Sequence, residues 1–523
     1  DYTSFFLKIK RKYNNFFLLL IDLYAICDII YTVIKKIKGD KLMHLEKHFK
    51  FKDILALVVG SIVGSGVFYL APKVFSITNS PGLAIMVWAF AGIITVAAGL
   101  TVAELAAAIP KTGGVIEYIR SGYGDLLSTI CGWAFAGIIF PFYVVFLAAK
   151  FGQTVAAILG TSKGYSYIFF AIFAVVFLTI ANNLSAIVGA KIQNFATIGK
   201  MIPLAVIILL GFYKGTITNS FIPVLFPIIP HGLSGFSLFN VFTQAIIACI
   251  FAYDGWMFVG SVAGEMENPQ KNLPKAIVLG ILIVCIIYIS INISYAISNP
   301  LTKLIDVTEI KNNGGIAAVT AQNLFPFINK TLIKILINIG IMVSVFGTLN
   351  GYMIFGSRIA YKMGTQRKFL FSRTISKLSK TSNVPHIGML WVSILAIFFL
   401  LLDFLNPNVS GNLVELGTLG SWVFYILSFV AVIILRKTQP NLNRPYKVPL
   451  YPIIPILAIL GGLFAVYGGL LGDVPFFKGE MQIDFSKMQI PFATTGFFLI
   501  ILGIPLHYIA SNYYKNDKII DEE

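Results

Sequence analysis

After residue 50 the chain is a succession of about twelve mainly apolar stretches, divided by short polar joints. They run approximately over 53–77, 82–108, 126–149, 165–185, 192–213, 236–263, 274–297, 332–361, 386–405, 412–435, 451–472 and 490–511. A helix needs about 20 apolar residues to cross a bilayer, and these stretches have that length. In hydrocarbon every backbone N–H and C=O must be satisfied within the protein, which leaves helices or closed barrels. Stretches this long and without alternation predict helices. The composition agrees: charged residues are 12% of the chain, against about 25% in soluble domains. The expected fold class is therefore an all-α polytopic membrane protein with 12 transmembrane helices.

Proline, glycine and asparagine mark the joints, as at Ser80-Pro81-Gly82, Pro110, Asn268-Pro269, Asn299-Pro300 and Arg444-Pro445. Placing the N-terminus inside puts about three quarters of the 40 Lys and Arg on the inner loops. That bias fits the positive-inside rule and predicts that both termini are cytoplasmic. The net charge of +17 is thus a topology signal, because the basic residues are divided among many loops rather than gathered as a nucleic-acid surface. A cell (plasma) membrane location is expected. Residues 1–42 fit less well: Asp22 and Asp28 interrupt their apolar run, and Met43 looks like an ordinary start. They are expected to be an N-terminal extension upstream of the native start, or else an interfacial helix. Cys27, Cys131, Cys249 and Cys285 lie far apart in apolar runs, without metal-ligand spacing, and no cofactor is expected.

Two spans are poorly built as helices. The first contains Gly60-Ser61-Ile62-Val63-Gly64-Ser65-Gly66-Val67-Phe68. Glycine costs about 1 kcal/mol relative to alanine inside a helix, so the segment can open and present N–H groups to an anion. Equally, Gly60 and Gly64 form a GxxxG pair suited to close helix contact. The sixth span runs apolar through Phe251-Ala252-Tyr253 and then meets Asp254-Gly255-Trp256. An ionisable residue inside a span is a functional hypothesis by default, while aspartate also caps helices. Interrupted spans at corresponding positions of two halves point to a transporter site at mid-membrane.

These residues resemble the signature of the amino acid–polyamine–organocation superfamily. The first-span motif does so, as does Phe251 to Trp256 followed by Glu265-Met266-Glu267-Asn268-Pro269, which is similar to the L-type amino acid transporter branch. Pro110-Lys111-Thr112-Gly113-Gly114, Gly347-Thr348-Leu349-Asn350-Gly351 with Arg358, and Arg444-Pro445-Tyr446-Lys447-Val448-Pro449 extend the likeness over about 45–510, with bacterial serine/threonine exchangers as the nearest look. The resemblance implies a LeuT-like fold: a transporter domain over 43–511, with inverted five-helix repeats at about 53–213 and 236–435, extra helices at about 451–511, and a cytoplasmic tail at 512–523. It implies that a substrate carboxylate meets N–H groups of Val63, Gly64, Ser65 and Gly66. The amine would meet carbonyls of Ile62, Phe251, Ala252 and Asp254, with Tyr253 and Gly255 in the same break and Phe251 as an aromatic gate. Asp254 stays open between helix capping and contact with substrate or proton.

Lys200 lies in the fifth span, about 13 Å beyond Lys191 at the helical rise. A buried ammonium must be paired, neutral or near water; the resemblance assigns it to coupling, in place of a sodium ion, while a snorkelling lysine is the plainer reading. Tyr143 and Trp422 are candidates for a side-chain pocket. Glu104 and Glu117 are expected as solvated or gating ion pairs, Glu415 as interfacial, and Arg358 as an orienting or gating cation at the end of span eight. The function expected is secondary active transport, as permease or exchanger, of small or neutral amino acids by alternating access, with protons as a further partner. The alternatives are a cationic amino acid or polyamine antiporter and a non-transporting amino acid sensor. No HExxH, GxSxG or paired histidine suggests an enzyme.

Overall fold

The structure, a computed structural model, describes residues 45–473 and 499–519, except Ser65, 162–163, 219, 231, 307, 309, 311–313, 370, 405–408 and 518. The N-terminal extension expected over 1–42 lies outside these residues, as does the end of the 512–523 tail.

The first span starts at α1 (Phe51–Ile62), where Asp53 Oδ2 accepts from Lys50 N at 3.0 Å and so satisfies a donor at the helix start. The helix stops at Val63, whose ψ of 86° is not helical, and resumes at Gly66–Tyr69 and Ala71–Thr78. Ser80 caps α2 (Pro81–Ala108), accepting from Leu83 N, and Pro81 stands at the first turn, where its missing N–H costs nothing. Two short helices follow, α3 (Val115–Tyr123) and α4 (Asp125–Trp133). A π-helical turn at Ala134–Ile139 leads into α5 (Phe140–Ile158). Pro141 lacks an N–H and crowds the preceding turn, which accounts for the widened helix.

The remaining spans are α6 (Ser166–Leu184), α7 (Ala186–Thr218) and α8 (Gly235–Ala252), with a 3₁₀ helix at Trp256–Glu265 completing the sixth. Then come α9 (Pro269–Ser298), the short α10 (Ile316–Leu324), α11 (Lys330–Thr365), α12 (His386–Leu401) and α13 (Val409–Thr438). Last are α14 (Ile453–Asp473) and α15 (Gly503–Tyr513). Among the described residues ten helices are long and apolar enough to cross a membrane; the last two expected stretches are represented by shorter apolar helices, Ile453–Tyr467 and Leu499–Tyr513. The chain is thus an all-α multi-pass membrane protein.

α1 sits at the centre, against α7, α9 and α11, while α2 packs along α9 and α5 along both α6 and α11. Large apolar side chains such as Phe169, Phe173, Phe195, Ile198 and Leu209 point outward. Such a surface suits lipid rather than water. Before α1, Phe49 forms an isolated bridge with Met266, and Glu265 O accepts from both His48 N and Phe49 N at 2.9 Å. The approach to the first span is thereby tied to the end of the sixth.

Candidate functional site

The two interrupted spans face each other. In the first, Val63 N still donates to Val59 O, and Gly64 N turns back to Ile62 O at 2.8 Å. The carbonyls of Gly60, Ile62 and Val63 are left pointing out of the helix. Lys200, fully buried on α7, fills this gap: its Nζ donates to Gly60 O (2.7 Å), Val63 O (2.5 Å) and Thr348 Oγ1 (3.2 Å). Thr348 on α11 donates to the same region, 3.0 Å from Gly60 O, and Ser344 Oγ lies 3.3 Å from Val63 O and Gly64 O. The ammonium therefore ends on polar acceptors at the break of α1 and does not run toward a helix end.

The glycines of the first-span motif also make close contacts. A Cβ on Gly60 would stand 2.2 Å from Gln193 Nε2 and 2.4 Å from Thr197 Oγ1; one on Gly64 would stand 3.0 Å from Thr348 Oγ1. Helix opening and glycine packing, weighed above as alternatives, are both present.

In the sixth span α8 ends at Ala252, and Gly255 takes φ 112°, a left-handed value that favours glycine. Asp254 is not the cap of the 3₁₀ helix; Gly255 occupies that position. Instead the buried Asp254 carboxylate accepts from three donors: Gly255 N (2.8 Å), Tyr425 OH of α13 (2.7 Å) and Tyr143 OH of α5. Tyr143 also reaches Thr418 at 3.1 Å. The two breaks are joined directly, by Ser61 Oγ donating to Gly255 O at 3.2 Å. Tyr288 of α9 joins them again, its hydroxyl lying 3.0 Å from Ile62 O and 3.1 Å from Ala252 O.

A cavity of about 30 Å³ lies between the breaks, lined by Ile62, Gly64, Gly66, Phe251, Ala252 and Asp254, with Ser61, Tyr143, Phe146, Thr348 and Tyr352 among the rest. Of the residues expected at the site, Val63, Tyr253 and Gly255 stand behind this lining, and Ser65 lies outside the described residues. Tyr253 turns away from it, with its hydroxyl 3.3 Å from Trp88 O and its ring against Tyr288. Phe251 packs edge-on against Phe146 at the cavity wall. Tyr143 lines the cavity; Trp422 does not, and packs behind Tyr425 at 5.4 Å between centroids.

Toward the end that the charge bias assigns to the cytoplasm, the helices are locked by buried ions. Arg358 and Glu265 form a bidentate pair at 2.7 and 2.8 Å, each 2% exposed. Arg358 is not at the end of its helix, since α11 runs on to Thr365. Glu104 is not solvated either: it is buried and holds Arg436, Arg444 and Val448 N. Glu117 accepts from Gln366 and lies 3.6 Å from Lys362. The side chain of Glu415 lies outside the described residues.

Tyr288, Ser344, Thr348, Tyr425 and the partnership of Glu265 with Arg358 went unassigned in the sequence reading. Thr348 sits within a motif that drew notice, but a hydroxyl on an apolar helix gives no sign of the helix it faces.

Two opposed helix breaks at mid-span, one lined by carbonyls and one holding a carboxylate, inside a multi-pass helical body, define a membrane transporter of the broken-helix class. The amino acid permease family profile matches residues 49–503. The chain belongs to that family, which consists of transporters and not enzymes. It is 36% identical over 437 residues to a serine/threonine exchanger of Bacillus subtilis, covering 82% of this chain and 94% of the relative. It is 28% identical over 441 residues to the b(0,+)-type amino acid transporter 1 of Mus musculus (83% and 84%), and 25% over 482 residues to the cystine/glutamate transporter of Homo sapiens (91% and 87%).

Proposed function

We propose that this permease is a secondary active exchanger or symporter of small or neutral amino acids in the plasma membrane, with both termini cytoplasmic. The observation that carries the reading is the cavity between the two breaks, where Ile62 and Ala252 present carbonyls to an ammonium and Asp254 is already occupied. One helical bundle would rock against the other about that point.

In this reading the substrate's amine takes the place now shared by Tyr288 on the carbonyls of Ile62 and Ala252. Its carboxylate approaches the opened backbone from Gly64 to Gly66, and Phe251 closes over it. About 10–15 Å³ of such space holds one water, so a cavity of about 30 Å³ has room for a few waters, and the helices must part before any amino acid enters. The buried Arg358–Glu265 pair is the cytoplasmic lock in that motion, and Lys200 is the coupling group, holding the first span in register when no amino acid is present.

Three donors on Asp254 favour a neutral side chain, because a cationic one would have to displace Tyr143 or Tyr425. The serine/threonine exchanger among the relatives supports the same choice. A cationic amino acid or polyamine antiporter is the second reading, favoured by the Asp254 carboxylate at the cavity wall.

The test is uptake of labelled serine, threonine, alanine, leucine, arginine and putrescine into proteoliposomes. It is run with and without internal substrate and with an imposed pH gradient. Saturable uptake of the small neutral members, stimulated by internal substrate, is the expected result for exchange; stimulation by external acid identifies proton symport. Preference for arginine or putrescine would replace the reading with the second, and binding without uptake would make the protein a sensor.

A further inference from the structure

The lower half of the first span is laced to the fifth along its whole length. Four side chains of α7 reach it in order. Asn194 Nδ2 donates to Asp53 Oδ1 at 2.6 Å; Thr197 Oγ1 donates to Ala56 O at 3.1 Å, and Gln193 Nε2 reaches the same carbonyl at 3.5 Å. Lys200 completes the row at Gly60 O and Val63 O. Gln193, Thr197 and Lys200 are spaced by four and three residues, one face of a helix.

Each rung has its own reason to be read as built. Gln193 is fully buried, and its amide is oriented from behind: Asn350 Nδ2 donates to Gln193 Oε1 at 3.0 Å, which turns Nε2 toward α1. Asn350 is itself fixed, accepting from Asn182 Nδ2 at 2.9 Å and donating to Gly189 O at 3.2 Å. From the other side, Gly60 lacks the Cβ that would collide with Gln193 Nε2 and Thr197 Oγ1. The first-span glycine motif and the Thr348–Asn350 motif of α11 therefore meet at one place. Thr348 holds the top of the row and Asn350 aims its middle.

We propose that Gln193, Asn194 and Thr197 form a seam that holds the cytoplasmic half of the first span shut, making them positioning residues for release of substrate to the cytoplasm. The seam rests on the alternating-access reading above. The rungs of Gln193, Asn194 and Thr197 rest on one carbonyl that already serves the helix, Ala56 O, and on a single carboxylate, Asp53. Water can replace such bonds one by one, so the half-helix can peel away from α7 below the break at Val63 without unfolding. Lys200 is the last rung to release, next to the cavity.

The test needs no substrate. A single-cysteine reporter, Ser61→Cys, is placed at the cavity after the native cysteines are changed to serine or alanine. A membrane-impermeant maleimide is then applied to right-side-out and inside-out vesicles. Gln193→Leu with Thr197→Val is expected to raise labelling from the cytoplasmic side about fivefold or more, the equilibrium effect of losing two modest hydrogen bonds, with labelling from outside unchanged or lower. Gly60→Ala, which wedges the seam from the α1 side, is expected to act in the same direction. Thr216→Val, elsewhere on α7 and bonded to Phe212 O of its own helix, serves as the control and leaves both rates at the starting level.

Unchanged cytoplasmic labelling in both seam variants, each monodisperse on size exclusion, would overturn the seam. Absence of amino acid uptake with labelling raised as expected would instead remove the transport reading and leave the seam standing.

Discussion

The two helix breaks solve one physical problem with opposite charges. Opening a helix leaves carbonyls without donors on one side of the gap and N–H groups without acceptors on the other. In the first span the gap is filled by a cation: Lys200, helped by Thr348 and Ser344, supplies donors to Gly60, Val63 and Gly64. In the sixth it is filled by an anion: Asp254 accepts from Gly255 N, Tyr425 and Tyr143. Lys200 comes from a different helix and reaches in, whereas Asp254 belongs to the break itself and is gripped from two others. The first break is therefore held by one long, flexible side chain together with small hydroxyls from α11. The second is held by two rigid rings that keep it fixed against α5 and α13.

The comparison breaks most directly at Lys200. Lys200→Ala removes a fully buried donor to two carbonyls, charge-assisted bonds of about 1.5–3 kcal/mol each. Uptake in proteoliposomes is expected to fall to background while the protein still purifies as a single species. Wild-type uptake and an unaltered pH response would show that the first break needs no cation.

Next in size is the lock beneath both breaks. Arg358→Ala leaves Glu265 buried and unpaired, a loss of about 3–5 kcal/mol. Thermal scanning in detergent should show a drop of several degrees, and the double change to Arg358→Met with Glu265→Met should recover much of it. If the double change is no better than the single, the pair does more than neutralise charge.

Asp254→Asn tests the anionic side. The single amide oxygen can keep Tyr425 and Gly255 N, which share one carboxylate oxygen, while the NH2 then faces Tyr143, so the grip weakens without vanishing. Loss of one charge-assisted bond of about 1.5–3 kcal/mol corresponds to a reduction of about 10- to 100-fold in kcat/KM. A gain of arginine uptake in this variant would contradict the neutral-substrate reading. Tyr425→Phe removes one donor only, and about a five- to tenfold loss is expected from a hydrogen bond of about 1 kcal/mol.

The smallest effect lies far from the breaks. Arg373 and Asp517 form a solvent-facing pair at 2.9 Å. The hydrogen bond from Arg373 holds the Asp517 carboxyl below its usual value. A depressed carboxylate adds stability that is present above its unfolded pKa and lost as pH falls through the lower, folded one. Asp517→Asn should therefore lower melting at neutral pH only slightly, the pair being solvent-facing, and its difference from the unsubstituted protein should close as pH falls through the folded pKa.

How far these features were legible in the sequence follows the same division. Glycines and an aspartate inside apolar runs violate the local rules of a membrane helix, so Gly64, Asp254 and Lys200 stood out without knowledge of their partners. Tyr425, Tyr288 and Ser344 break no local rule. A tyrosine in an apolar helix is the same whether its hydroxyl meets a carboxylate or a lipid headgroup, and only the packing of α9, α11 and α13 around α1 and α8 decides. Trp422 shows the cost of that silence: a candidate for the pocket three residues before Tyr425, it packs behind Tyr425 instead of lining the cavity. The stretches themselves were plain because hydropathy needs no partner, whereas the pairing of Glu265 with Arg358 joins residues 93 positions apart.

The cavity of about 30 Å³ has a consequence for the cell's electrical economy. A passage through a membrane that never narrows is a leak, and ions would run down the gradients that drive every secondary carrier. Here the space between the two breaks has room for only a few waters, walled by aromatic rings, with buried ion pairs beyond it. A hydrated ion finds no continuous room in a space that small, so the walls placed to receive a substrate also narrow the way when none is there.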